Sequence, residues 1–70
     1  MLSIDTRKEK RFTPLIPALE AIFLSPKGSK LEIIIDDGPA CKHLKTYLIE
    51  KKIGFREIYH EEVITLQFTI

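Results

Sequence analysis

Seventy residues with a mass of 8.1 kDa are enough for one domain, and we expect residues 1–70 to form it. Hydrophobic residues make up 44% of the chain, a globular composition that excludes disordered and collagen-like proteins. Eleven basic and ten acidic side chains leave a net charge of +1, which favours no class of partner. A single cysteine excludes an internal disulfide, and no aliphatic run is long enough to span a membrane. With no secretory leader pattern, we expect a small cytoplasmic domain.

The first half of the chain predicts a strand, a helix and a second strand. Leu2 and Ile4 alternate with polar residues, so residues 1–5 are expected to form a strand. Thr13-Pro14 is a typical helix start, because the Thr hydroxyl caps an N–H and proline tolerates the first helical position. The aliphatic run over residues 31–35 predicts a central strand. Between the two strands, the sequence predicts an amphipathic helix of about eleven residues. The residues that share its apolar arc are Leu15, Ile16, Ala18, Leu19, Ile22 and Phe23.

The second half predicts a helix followed by two strands. An acidic pair and then Pro39 repeat the helix-start pattern, and Gly54 is expected to take the left-handed conformation after this helix. Residues 55–60 and 63–70 are predicted strands joined by a tight reversal. The inward-facing positions of this half are expected to be Ala40, Cys41, Leu44, Tyr47, Leu48, Ile64, Leu66, Phe68 and Ile70.

The order β-α-β-α-β-β predicts the architecture directly. A parallel pair of strands needs a crossover helix, and each helix must bury its apolar side against the sheet. We therefore expect an α/β two-layer sandwich, in which a four-stranded mixed sheet carries both helices on one face.

Three stretches, together with this order of elements, resemble the TusA/SirA-like sulfur-carrier family. They are Ile4-Asp5, Thr13-Pro14, and residues 31–37 with Pro39-Ala40 just beyond, so the resemblance covers nearly the whole chain. It implies a two-layer α/β sandwich that holds sulfur as a persulfide on the cysteine of a Cys-Pro-x-Pro motif at the start of the first helix. It also implies a cysteine desulfurase as sulfur donor and, as acceptors, relay proteins that lead to tRNA thiolation or related pathways.

The motif position differs from the family in the residue that carries the chemistry. It contains Thr13-Pro14-Leu15-Ile16, so the family's cysteine falls on Thr13 and its second proline on Ile16. A hydroxyl cannot hold a persulfide, because the carrier atom must be a polarizable thiolate that sulfur can join and leave. The resemblance therefore implies a member without sulfurtransferase activity at the usual position. Thr13 is interpreted as a helix cap.

Cys41 is the one thiol of the chain. It falls in the first turn of the second helix, where the helix N-terminus and Lys42 are expected to lower its pKa. Since both helix starts meet at one sheet edge, Cys41 should lie near Thr13, and a relocated sulfur-carrying thiol is one interpretation. The other is an inert packed thiol, because unpaired cysteines are among the most buried residues.

Basic residues precede the first helix and follow the start of the second. We name Arg7, Lys8, Lys10, Arg11 and Lys42 the basic rim. Cations near helix N-termini attract anions, so the basic rim could contact an acidic protein surface, phosphate or RNA, whereas a solvated loop is the alternative. For RNA, only Tyr59 is placed for base stacking. Three scattered candidates for metal ligation, Cys41, His43 and His60, fall short of a zinc site.

Three functions follow, in order of preference. The first is a non-catalytic interaction or regulatory module in sulfur-transfer metabolism, whose protein partner is a desulfurase-like or sulfur-relay protein. The second is a sulfur carrier that uses Cys41. The third is a nucleic-acid-binding module that uses the basic rim. None of the three requires a cofactor, a metal or a membrane.

Overall fold

A computed structural model describes residues 2–7 and 15–70 of the chain. The predicted strand residue Met1 and the predicted helix start Thr13-Pro14 lie outside the described residues. Neither helix within the described ranges is long and apolar enough to cross a bilayer. The six elements follow the predicted order: β1 Leu2–Asp5, α1 Leu15–Leu24, β2 Lys30–Ile35, α2 Gly38–Glu50, β3 Phe55–His60 and β4 Val63–Thr69.

The four strands form one mixed sheet in the order β1-β2-β4-β3. The β1 and β2 strands are parallel, with Ile4 opposite Ile33, and the other two pairings are antiparallel. In the next pairing Ile33 lies opposite Leu66, so one row of aliphatic side chains crosses three strands on the same face. Both helices cover this face, which confirms the α/β two-layer sandwich and the central position of β2.

The core lies between this sheet face and the helices. Leu31, Ile33 and Ile35 are each fully buried, as the aliphatic run of β2 predicts. The inward positions predicted for β4 are confirmed, because Leu66 and Phe68 are buried and the flanking residues of the same parity are half-buried. On the helices, the buried residues are Ala18, Ile22, Ala40, Cys41, Leu44 and Leu48, with Tyr47 half-buried at the margin.

The apolar arc of α1 is narrower than the sequence predicts. Ile16 and Phe23 were expected in the core, yet their side chains are 44% and 67% exposed. Successive helical residues are about 100° apart, so these two positions lie roughly 100–120° around the axis from the buried Ile22. One helix over a two-layer core buries only the stripe that faces the sheet, and the flanks remain outside.

Local hydrogen bonds define both ends of α2. At its start the carboxylate of Asp37 accepts a bond from the Ala40 N–H at 2.9 Å, which confirms the predicted acidic cap. At its end the Lys52 N–H donates to the Ile49 carbonyl at 3.0 Å and the Ile53 N–H donates to the Leu48 carbonyl at 2.8 Å. This is a Schellman motif, in which the left-handed residue is Lys52, with φ of 60°. The assignment of that conformation to Gly54 was wrong.

The β3–β4 hairpin closes through two residues. His60 pairs with Val63, which leaves Glu61 and Glu62 as the loop. Glu61 takes a positive φ of 56°, a conformation that tight hairpin loops require and that glycine or asparagine would adopt at lower cost. The tight reversal is therefore confirmed, although the sequence lacks the residue types that usually form it.

Candidate functional site

The carboxyl ends of the parallel strands β1 and β2 meet at the edge where α2 begins. The Thr6 N–H donates to the Ile34 carbonyl at 3.0 Å and extends the β1–β2 pairing by one residue. The Thr6 hydroxyl donates to the same oxygen at 2.7 Å, and the residue is only 1% exposed. This buried threonine anchors the chain at the edge. The sequence patterns above do not predict this role of Thr6, and its one signal is a polar residue directly after an alternating strand.

Arg7 is one of the two basic-rim residues within the described ranges. Its guanidinium binds the Asp5 carboxylate through two bonds, Nε to Oδ1 at 2.9 Å and Nη2 to Oδ2 at 2.7 Å. The hydrogen bond to Asp5 raises the pKa of Arg7, with a smaller contribution from the charge of Asp36. The charge of Arg7 is therefore paired with Asp5 at this edge, although the side chain is exposed. Lys8, Lys10 and Arg11, like Thr13 and Pro14 of the motif position, lie outside the described residues.

Lys42 and Cys41 are neighbours in sequence but occupy different environments. Lys42 is exposed on α2, whereas Cys41 is 1% exposed and belongs to the core cluster. Burial raises the pKa of the Cys41 thiol, because the thiolate loses its hydration, and the charge of nearby Lys45 opposes this only in part. The expected lowering of this pKa was wrong. Desolvation outweighs the charge of Lys45, which is the cation that acts on the thiol in place of Lys42.

A polar cluster that the sequence analysis missed joins α2 to β3 beside Cys41. Lys45 Nζ lies 3.3 Å from Oε2 of Glu57, and the Tyr59 hydroxyl donates to the same oxygen. The hydrogen bond from Tyr59 lowers the pKa of Glu57, with Lys45 contributing further, and the bonds to Glu57 raise the pKa of both Tyr59 and Lys45. The cluster fastens the helix to the edge strand. No sequence pattern predicts this cluster, because Lys45, Glu57 and Tyr59 come together only when α2 packs on β3.

The open face of the sheet, opposite the helices, carries mainly polar side chains. Gln67 Nε2 donates to Glu32 Oε2 at 3.0 Å, and Ser3 reaches the other oxygen of Glu32 at 3.3 Å. Tyr59 lies on the helix side instead, because it pairs with Ile64, which packs against the core. The predicted stacking residue is therefore not on the open face. A shallow groove at the far end of this face is lined in part by Lys30, Arg56, Gln67 and Thr69.

The two histidines belong to separate elements. His43 is exposed on α2, and His60 is exposed at the end of β3. Within residues 2–7 and 15–70, no three His, Cys, Asp or Glu side chains come together in a way that could hold a metal ion. The described part of the edge therefore combines a paired arginine, a capped helix start and a buried thiol.

Comparisons with protein-family models, with curated proteins and with solved structures find no match to this chain.

Proposed function

We propose that this chain is a non-catalytic interaction module of the sulfur-carrier type, which contacts a protein partner and carries no sulfur itself. The burial of Cys41, only 1% exposed, is the observation that supports it. A persulfide forms when a thiolate reaches the donor's sulfur, so a carrier cysteine must be ionised and accessible. Cys41 meets neither condition, since burial also raises its pKa. The family's cysteine position holds Thr13, which leaves the chain without another thiol.

The partner class and the cellular setting come from the resemblance. A carrier-like domain without a carrier thiol retains one task of the family, which is to contact the proteins that deliver or receive sulfur. We therefore propose a desulfurase-like or sulfur-relay protein as partner, in the cytoplasm. The basic rim stays the predicted contact for that partner, through Lys8, Lys10, Arg11 and the exposed Lys42.

Intact mass after incubation with a cysteine desulfurase, cysteine and pyridoxal phosphate tests the proposal. We expect the protein to gain no sulfur. Thr13→Cys is the matched positive control, because it restores a thiol at the position that the family uses, and we expect this variant to gain one sulfur atom. A sulfur adduct on the unmodified protein that disappears in Cys41→Ser would show that the chain is a carrier after all.

Charge reversal tests the predicted contact. Lys8→Glu, Lys10→Glu and Arg11→Glu together should weaken binding to the desulfurase, and the effect should shrink as salt screens the charges. Lys30→Glu, on the open sheet face, is the control and should leave binding unchanged. Equal binding by all these variants would remove the basic rim from the proposal.

A further inference from the structure

The outer surface of α1 is apolar where a surface helix is normally polar. Of its ten residues, Leu15–Leu24, only Glu20 is charged. The side chains of Ile16, Phe23 and Leu24 are 44%, 67% and 81% exposed. We name Ile16, Glu20, Phe23 and Leu24 the α1 outer face. A helix that is apolar on all sides is usually covered on all sides, so this face lacks a covering surface within the described residues.

The aromatic residue of this face is held in place by α2. The Phe23 ring meets the Tyr47 ring edge-on, with the centroids 6.0 Å apart and the planes at 89°. The Tyr47 ring also contacts a cation, because Lys51 Nζ lies over it at 5.8 Å from the ring centre. An aromatic side chain offers roughly 150–250 Å² for burial, so Phe23 leaves a large apolar area in solvent. Exposed aromatic side chains are common anchors at the centres of protein interfaces.

Charge is divided unevenly between the helical segments and the rest of the described chain. Residues 15–29 and 38–54, which form the helical layer, contain five lysines and two glutamates, a net charge of +3. The rest of the described chain contains three basic and seven acidic residues, a net charge of −4. Lys27 follows the end of α1 and Lys51 lies beside Tyr47, so cations border the apolar area. A complementary surface would be apolar at its centre and acidic around it.

We propose that the α1 outer face, with Tyr47 and Lys51, docks an amphipathic protein segment whose apolar residues are flanked by carboxylates. This inference rests on the proposed function, since it assigns the partner's chemistry to a second surface of the same module. A lipid surface fits less well, because the interior of a bilayer offers the Glu20 carboxylate no hydrogen-bond donor, whereas a protein segment can carry one. A twofold dimer through this face fits less well too, since it would bring two positive layers together.

A synthetic helical peptide, with leucines along one face and glutamates along its flanks, is the probe. Amide chemical shifts of the full chain report where the peptide binds, and the titration gives its affinity. We expect shifts confined to α1 and the Tyr47 side of α2, with affinity that falls as salt increases. A peptide with the same leucines and with lysine flanks is the charge control. It should bind at least about tenfold more weakly.

Exposed residues can be replaced without disturbing the core. Phe23→Ser and Leu24→Ser should each weaken binding on the order of tenfold or more, as loss of an interface anchor does. Ile49→Ser is the matched control, because Ile49 is also an exposed aliphatic residue of the helical layer, 65% exposed, but projects from α2 away from Tyr47. Its affinity should equal that of the unmodified chain.

The outcomes divide cleanly. Loss of binding in Phe23→Ser with retention in Ile49→Ser supports the proposal. Equal loss in both variants, equal binding of the two peptides, or the absence of shifts on α1 overturns it. So does a dimer in sedimentation that Phe23→Ser dissociates, which would assign the face to a second copy, or binding to anionic vesicles instead of the peptide. None of these results involves sulfur transfer, so the persulfide assay still decides the proposed function separately.

Discussion

Lys52→Gly tests the Schellman motif that ends α2. Lys52 occupies the left-handed region at φ of 60°, where its Cβ crowds the following carbonyl oxygen. Its N–H and that of Ile53 both complete hydrogen bonds to the last turn, so the backbone cannot relax without losing them. Glycine adopts this conformation without the steric cost. We expect the variant to be more stable than the unmodified protein.

The size of the gain is a difference of two terms. A side chain in the left-handed region costs roughly 1–2 kcal/mol, whereas the added freedom of glycine in the unfolded chain costs about 0.5–1 kcal/mol. The midpoints of these two ranges differ by about 0.75 kcal/mol, so the net increase in the free energy of unfolding should be about 0.5–1 kcal/mol. For a domain of this length, that corresponds to a rise in Tm of roughly 2–8 °C.

Urea unfolding followed by far-ultraviolet circular dichroism measures the effect, since the chain has no tryptophan. With a slope of about 1 kcal/mol/M, the midpoint should rise by about 0.5–1 M. Lys52→Ala is the control, because it removes the same charge but keeps a Cβ at φ of 60°, and it should give no comparable gain. A stability of Lys52→Gly equal to or below that of Lys52→Ala would refute the assignment of strain to this residue.

Three further predictions concern the core, the thiol and the polar cluster. Phe68→Ala should lower the free energy of unfolding by roughly 3–5 kcal/mol, because Phe68 is buried in the core. Ile58→Ala is the control and should lower it much less, because Ile58 lies on the open face and is 39% exposed. Equal losses in the two variants would mean that the faces of the sheet are misassigned. The Cys41 thiol should react with an aromatic disulfide reagent at least about a hundredfold more slowly in the native protein than in urea, because reaction requires opening of the core; rapid native labelling would contradict its burial. Glu57 has a lowered pKa, so its contribution to the free energy of unfolding is present above the usual glutamate pKa of 4.5 and is lost as the pH falls below that value. Lys45 and Tyr59 have raised pKa values, so their contribution is present at neutral pH and is lost as the pH rises above about 10. Unfolding measured across pH should therefore show both slopes reduced in Glu57→Gln and unchanged in Glu62→Gln, and unchanged slopes in both variants would mean that the cluster does not couple to folding.

The elements of the fold were predictable because their signals are local. Alternation marks β4, an aliphatic run marks β2, and an acidic cap followed by Pro39 marks the start of α2. The number of strands and the crossover rules then leave few arrangements of two helices on one sheet. Whether a residue on a helix flank is buried depends on the width of the partner layer. For that reason Phe23 was wrongly assigned to the core.

The site was less predictable because tertiary packing dominates its chemistry. The helix start and a neighbouring lysine suggested an acidified Cys41, but the depth of the thiol in the core decides its pKa. Lys45 and Glu57 are twelve residues apart on different elements, and no pattern of spacing brings them together. In the sequence, Thr6 looks like an ordinary polar loop residue. Its role depends on the hydrogen bond that its hydroxyl donates to the Ile34 carbonyl on the neighbouring strand.

Within the described residues, the helical segments carry a net positive charge, whereas the strands and their connections carry a net negative charge. Such a molecule turns in the electric field of a charged neighbour before the two surfaces touch, which raises the fraction of productive encounters at low ionic strength. Despite a net charge of only +1, the protein should adhere weakly to both cationic and anionic chromatography resins near neutral pH, with a different side toward each.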